Sequence, residues 1–289
     1  MDIGVFSRTF SRDTLGELLD AIAAHGVSQV HFNMKGAGVP NLPEEIDARL
    51  CNTVRIAFAE RVLTMCSLSG TYNMIHPDPE QREVETSRAC RLIERAPQMG
   101  TSIVTTCTGT RDPVDMWRRH PANDQPDAWR DLLATLDRLL PVAEKSGVIL
   151  GIETEPNNVV NSAAKARRLL DELRSPNLKI VMDGANLFDE DLSDMRGVLS
   201  EAFQLLAPDI VMAHAKDIPD ERGARSQAAG RGLLDWETYF RLLNEYRYPG
   251  VVVLHNLSES ELDDSLRFVR GHLAGAANAQ AAGDRHALS

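Results

Sequence analysis

Two carboxylates and two imidazoles stand at the ends of four short apolar runs in the second half of the chain: Val148–Glu153, Leu178–Asp183, Asp209–His214 and Val251–His255. Each run is strand-like and carries its ionisable side chain at the C-terminal end. About 30 to 40 residues separate one end from the next, room for a helix and two loops. Consecutive parallel strands joined by helical crossovers point the same way, so the four ends are expected on one face. Carboxylate oxygen and imidazole nitrogen together suit one divalent ion of the magnesium, manganese, zinc and cobalt group, and leave positions open for water or substrate oxygens. Such an ion acidifies a C–H beside a bound carbonyl, and a carboxylate at the same place moves the proton. Glu153, Asp183, His214 and His255 are therefore the expected metal ligands.

Strand-like and helix-like segments alternate along the whole chain. Strands are expected over 2–6, 28–33, 61–68, 102–107, 148–153, 178–183, 209–214 and 251–255. Helices are expected over 12–25, 43–59, 79–98, 126–146, 160–174, 191–206, 236–246 and 259–272. The apolar spacing of Leu15, Leu18, Leu19 and Ile22, and of Leu132, Leu133, Leu136, Leu139 and Leu140, is helical. Gly26, Gly100 and Gly147 stand where a helix hands over to a strand. Eight strands, each followed by a helix, predict a single (β/α)8 TIM barrel over residues 1–273, with its active site at the C-terminal strand ends and a flexible tail over 274–289. An open doubly wound sheet would carry a Gly-rich phosphate turn after its first strand. Here that strand runs Val5-Phe6-Ser7-Arg8.

The 289 residues suit one such barrel. The net charge, 31 − 42 = −11, argues against a broad nucleic-acid-binding surface. It leaves room for a small anionic substrate held by a few arginines. No apolar run approaches the length of a membrane span, and the N-terminus carries no basic leader pattern. Cys51, Cys66, Cys90 and Cys107 show no C-x-x-C spacing and read as reduced thiols of a cytoplasmic protein, with Cys66 and Cys107 as core filler. Homo-oligomerisation is left open.

The two longest connections after strands follow the fourth and seventh. The first, from Thr108 to Asp124, joins Arg111, Trp117 and His120. Arg binds carboxylate or phosphate, and Trp offers an apolar face to a sugar ring. The second, from Ala215 to Asp235, carries Lys216, Asp217, Arg222, Arg225 and Arg231 between two glycines. Arg111, Trp117, His120, Lys216 and Arg231 are expected substrate contacts, with Asp217 orienting Lys216 or a metal ligand. His76, after the third strand, is a further expected contact, and His31 reads as a satisfied barrel residue.

The sequence resembles the xylose-isomerase-like barrels of the sugar phosphate isomerase/epimerase superfamily, from Met1 to about His272. The resemblance is carried by Ile152-Glu153-Thr-Glu-Pro-Asn-Asn, Met182-Asp183-Gly-Ala-Asn186-Leu-Phe, Ala213-His214-Ala-Lys216-Asp217 and Ala229-Gly230-Arg-Gly232-Leu-Leu-Asp235-Trp236. It implies metal ligands at Glu153, Asp183 and His214, and adds Asn186 to the expected substrate contacts. The superfamily's usual fourth ligand, a Glu that also moves protons, is replaced here by His255. His255 keeps the capacity to bind metal but cannot copy a two-glutamate shuttle. Either His255 is the second acid/base beside Glu153 or the reaction needs only one, with Glu155 and Glu259 as nearby carboxylates. The resemblance implies a metal-dependent isomerase or epimerase of a sugar or polyol, acting through an enediolate. A lyase or dehydratase acting on a keto sugar or inosose begins with the same proton abstraction. A non-catalytic binding barrel and a metal-dependent nuclease are the remaining readings; the filled ligand set opposes the first and the acidic balance the second.

Overall fold

The computed structural model describes residues 1–189, 191–220 and 227–287, with side chains up to Ala274. Eight parallel strands close into a barrel: β1 (Asp2–Phe6), β2 (Gln29–Phe32), β3 (Thr64–Ser69), β4 (Ile103–Cys107), β5 (Ile149–Glu153), β6 (Leu178–Asp183), β7 (Ile210–Ala215) and β8 (Val251–Leu254). They pair in chain order, and β1 pairs with β8 to complete the ring. Eight helices alternate with them: α1 (Leu15–Ala24), α2 (Ala48–Glu60), α3 (Pro79–Met99), α4 (Pro126–Ser146), α5 (Ala163–Leu173), α6 (Met195–Leu206), α7 (Trp236–Glu245) and α8 (Glu259–Ala287). The chain is thus a single (β/α)8 barrel. Residues 275–289, most of the expected tail, fall outside the described side chains, as do Arg222 and Arg225.

Helix starts follow their caps. α2, α5 and α6 begin three to five residues later than the apolar spacing predicts. Each waits for a side chain that accepts from the first turn: Asp47 from Leu50 N, Ser162 from Lys165 N and Asp194 from Gly197 N. α1 opens with a reciprocal Thr14–Glu17 capping box. Gly100 and Gly147 end α3 and α4 in the left-handed region, as a helix-to-strand handover requires.

The main core lies between the strands and the helices and buries Leu19, Phe32, Leu92, Leu136 and Phe203. A second, smaller cluster of Val181, Met212 and Val253 fills the barrel interior. Side chains alternate along a strand, so the residue two places further on faces the same way. From this inner layer that step leads to Asp183, His214 and His255. No helix of the described residues is long and apolar enough to cross a membrane.

Candidate metal centre and substrate cavity

Register brings the strand ends level. Cys107 pairs with Glu153, Glu153 with Val181, and Asp183 with His214. Glu153, Asp183, His214 and His255 are all buried, and one donor atom from each lies within 4.8 Å of the others. His214 Nδ1 is 2.9 Å from Glu153 Oε1 and 3.8 Å from Asp183 Oδ2. His255 Nε2 donates to Asp183 Oδ2 at 3.1 Å, and the His214 and His255 rings lie 4.1 Å apart between centroids. Lys216 Nζ stands 3.2 Å from Asp183 Oδ2 and donates to Asn186 Oδ1. Asn186 Nδ2 in turn donates to Glu153 Oε1 at 3.0 Å.

The protonation of the cluster follows from this geometry. Burial pulls the His214 imidazole down, but the Glu153 and Asp183 carboxylates outweigh it and raise it to about 9. Burial and the His214 cation lower His255 to about 4, against its hydrogen bond to Asp183. At neutral pH one ring is therefore charged and its neighbour neutral. Burial alone would raise Asp183, but Lys216 and the two imidazoles hold it well below the usual carboxylate range. Glu153 is likewise lowered, burial being outweighed by His214. Two carboxylates are thus balanced by His214 and Lys216.

The donor set fits a divalent cation. It offers two carboxylates and two imidazoles on one buried floor, and the charge now carried by the His214 proton is what a cation would replace. His214 Nε2 is buried without a hydrogen-bond partner, so one of the ring's two nitrogens carries no structural duty among the described residues.

Above the cluster opens a cavity of about 1270 Å³ on the C-terminal face, bordered by loops from around the barrel. Trp117, Asn186 and Lys216 line it. Other expected contacts are engaged elsewhere. Arg111 is buried, donating to Asp131 Oδ2 at 2.6 Å and to the Ile75 carbonyl at 3.1 Å. His76 accepts from Asp78 N and donates to the Pro113 carbonyl, which spends both ring nitrogens on tying two loops together. His120 accepts from Ala122 N as a helix cap. Arg231 pairs with Asp264 on the surface. Asp217 lines the cavity as well, and it accepts from Ile218 N, Gly230 N, Leu234 N and Trp236 Nε1, so that it organises the loop after β7; among the described residues it shows no bond to Lys216 or to a candidate ligand. Glu259 pairs with Arg12 at 2.6 Å, away from the cavity.

Two lining residues are read from the sequence as structural, and one nearby carboxylate joins them. His31 is satisfied by Ser67 Oγ at 2.7 Å, yet it lines the cavity 6.1 Å from the His214 ring. Cys107, read as filler, lines it too, and its thiol faces Glu153 Oε2 at 3.7 Å. Burial keeps that thiol protonated by raising it well above the ordinary range. Glu155 joins the lining, pushed up to about 7 by burial against the pull of Lys216. The register that pairs Cys107 with Glu153 puts its side chain on the same face.

The sequence pattern of the xylose isomerase-like TIM barrel family matches residues 11–272. No curated protein sequence matches the chain. Among solved structures, 3-keto-D-glucoside 4-epimerase from E. coli is similar at 21% identity over 94% of this chain and 99% of that one, with a TM-score of 0.72. A D-tagatose 3-epimerase-like protein is similar at 16% identity over 96% and 99%, with a TM-score of 0.76. A probable 3-DHS dehydratase from Bacillus anthracis is similar at 14% identity over 93% and 99%, with a TM-score of 0.71.

Proposed function

The chain belongs to the xylose isomerase-like TIM barrel family, and from that premise we propose that it is a divalent-metal-dependent isomerase or epimerase of a sugar or polyol. The observation that carries this reading is the buried Glu153–Asp183–His214–His255 cluster on the floor of the cavity. Those four residues would hold the ion. A divalent cation there supplies Lewis-acid stabilisation for the negative charge that develops on a carbonyl oxygen as the neighbouring C–H is removed.

Glu153 is the base. Its Oε1 is occupied by His214 and Asn186, whereas among the described residues Oε2 meets the Cys107 thiol alone. A thiol is a weak donor, so Oε2 is the more basic oxygen. Asp183 is fully buried under Lys216 and His255 and holds charge rather than moving protons. Asn186 and Lys216 fix the Glu153 carboxylate from one side and present donors to substrate hydroxyls. His255, beside Asp183 on the same floor, takes the place of the second carboxylate of a two-glutamate shuttle and is the partner acid/base to Glu153.

Elimination is the second reading. A single carboxylate with an open oxygen suffices to start it, and the probable dehydratase is as similar in fold as the epimerases. Incubation in deuterated water with aldoses, ketoses and 3-keto sugars tests both. Deuterium beside the carbonyl, dependent on added metal and lost in Glu153→Gln, is the expected result. Epimer or isomer as product supports the first reading, and a conjugated enone supports the second. Exchange that survives Glu153→Gln assigns the base elsewhere, and none with any sugar in metal-loaded protein overturns both.

A further inference from the structure

The cavity is larger than one sugar ring needs, and its walls differ. Small-molecule sites usually span about 300–1,000 Å³ for ligands larger than a hexose, whereas this one measures about 1270 Å³. The wall after β1 and β2 carries Arg8, Asn33 and Lys35, while across the barrel an apolar wall of Met116, Trp117, Pro156 and Phe188 is interspersed with Glu155, Asn157 and Asp189.

Trp117 is the one tryptophan among the lining residues. It is 36% exposed, whereas Trp129 and Trp236 are buried at 8% and 6%. Trp129 carries Arg168 over its ring and donates to Glu172; Trp236 stacks on Phe240 and donates to Asp217. Among the described residues, Trp117 has neither a ring contact nor a partner for its indole N–H. Yet its backbone is fixed. Its N–H donates to Asp115 Oδ1 and its carbonyl accepts from Asn157 Nδ2, both at 3.0 Å. Asn158 Nδ2 holds the Met116 carbonyl at 3.1 Å, and Arg118 is clamped onto Asp112 at 2.8 Å. The loop spends several side chains on presenting one unpaired aromatic face to the cavity. Holding that face in advance lowers the ordering cost of binding a flat apolar partner.

Building on the activity proposed above, we infer that the substrate is a glycoside whose reacting ring carries a ketone, because the glycosidic bond locks the anomeric carbon and leaves a carbon beside that ketone as the one to lose its proton. Its reacting sugar ring lies over the Glu153–His255 floor, and the ring attached to it packs on Trp117, with the indole N–H donating to a glycosidic or hydroxyl oxygen. Trp117 then sets specificity by contact and takes no part in proton transfer.

The three tryptophans make the test direct, because the exposed one is the one in question. Purified full-length protein is titrated with gluco-, galacto- and manno-configured sugars, each free and as its phenyl glycoside, and tryptophan emission is followed. At least one phenyl glycoside is expected to bind about tenfold or more tightly than its free sugar and to shift the emission. Trp117→Ala should abolish both the preference and the shift, and Trp117→Phe should restore most of the preference. The unfolding midpoint and the residual emission of Trp129 and Trp236 verify that the variants fold. Equal affinity for free sugar and glycoside throughout the panel, or a preference that survives Trp117→Ala, overturns the inference. So does emission that changes with protein concentration and ignores glycosides, which would assign the apolar wall to a second copy of the chain. The two proposals fail separately. Glycoside binding without deuterium exchange removes the catalysis alone, and exchange without glycoside preference removes this inference alone.

Discussion

At their C-terminal ends strands β1 to β4 turn Phe6, His31, Ser69 and Cys107 to the cavity, while β5 to β8 end at or beside Glu153, Asp183, His214 and His255. Both halves have the same backbone, the same inward parity and the same helical cover. They differ in what stands at one inward position per strand. One half places charge on the cavity floor; the other contributes a wall, with His31, Ser69, Thr105 and Cys107 as neutral lining. Even within the charged half, two histidines 4.1 Å apart carry opposite shifts. His214 faces two carboxylates, and His255 has the His214 cation beside it. A (β/α)8 barrel can thus concentrate chemistry in one half and leave the other to shape the ligand.

The largest effect should come from the charged half. Asp183→Ala is expected to remove bound metal, read by metal analysis, and to lower deuterium exchange by at least about 10³-fold. Equal metal in both proteins would break the comparison. Lys216→Met leaves the Asp183 charge buried with one partner fewer, and should cost chelator-treated protein about 3 kcal/mol in urea unfolding. The loss should shrink when metal is restored, since a cation again faces Asp183. A loss identical in both conditions would make Lys216 purely structural.

The charged half also sets a pH dependence. In chelator-treated protein, His214 titrates at about 9, above its ordinary value near 6.5. Its stabilisation is complete below pH 6.5 and is lost as pH rises through 9, at most about 3 kcal/mol. Unfolding free energy should therefore fall between pH 7 and pH 9.5, and His214→Gln should flatten that slope. In the loop after β4, Arg111→Met should cost about 2 kcal/mol through its lost bonds to Asp131 and Ile75, with metal content unchanged. A KM that rises more than about tenfold at unchanged stability would return Arg111 to the substrate. Arg231→Ala, on an exposed pair with Asp264, should change stability by less than about 0.5 kcal/mol.

The sequence alone determined the eight-fold alternation and the position of the four candidate ligands. Both rest on local rules. Parallel strands share a direction, and a residue at a strand's C-terminal end inherits the face on which that end lies. His255 could thus be placed beside Glu153, Asp183 and His214 although 102 residues separate it from the first of them. Tertiary structure decided the rest. Arg111 and His76 stood in the right loops, but Asp131, the Ile75 carbonyl and the Pro113 carbonyl that engage them come from other segments, and no spacing along one segment reveals which carboxylate or carbonyl packs against it. Cys107 and His31 entered the lining because closure of the barrel turned their strand faces toward Glu153 and His214. The protonation of the two imidazoles was hidden for the same reason. It depends on burial and on distances to charges from three other strands, which exist only once the ring of strands has closed.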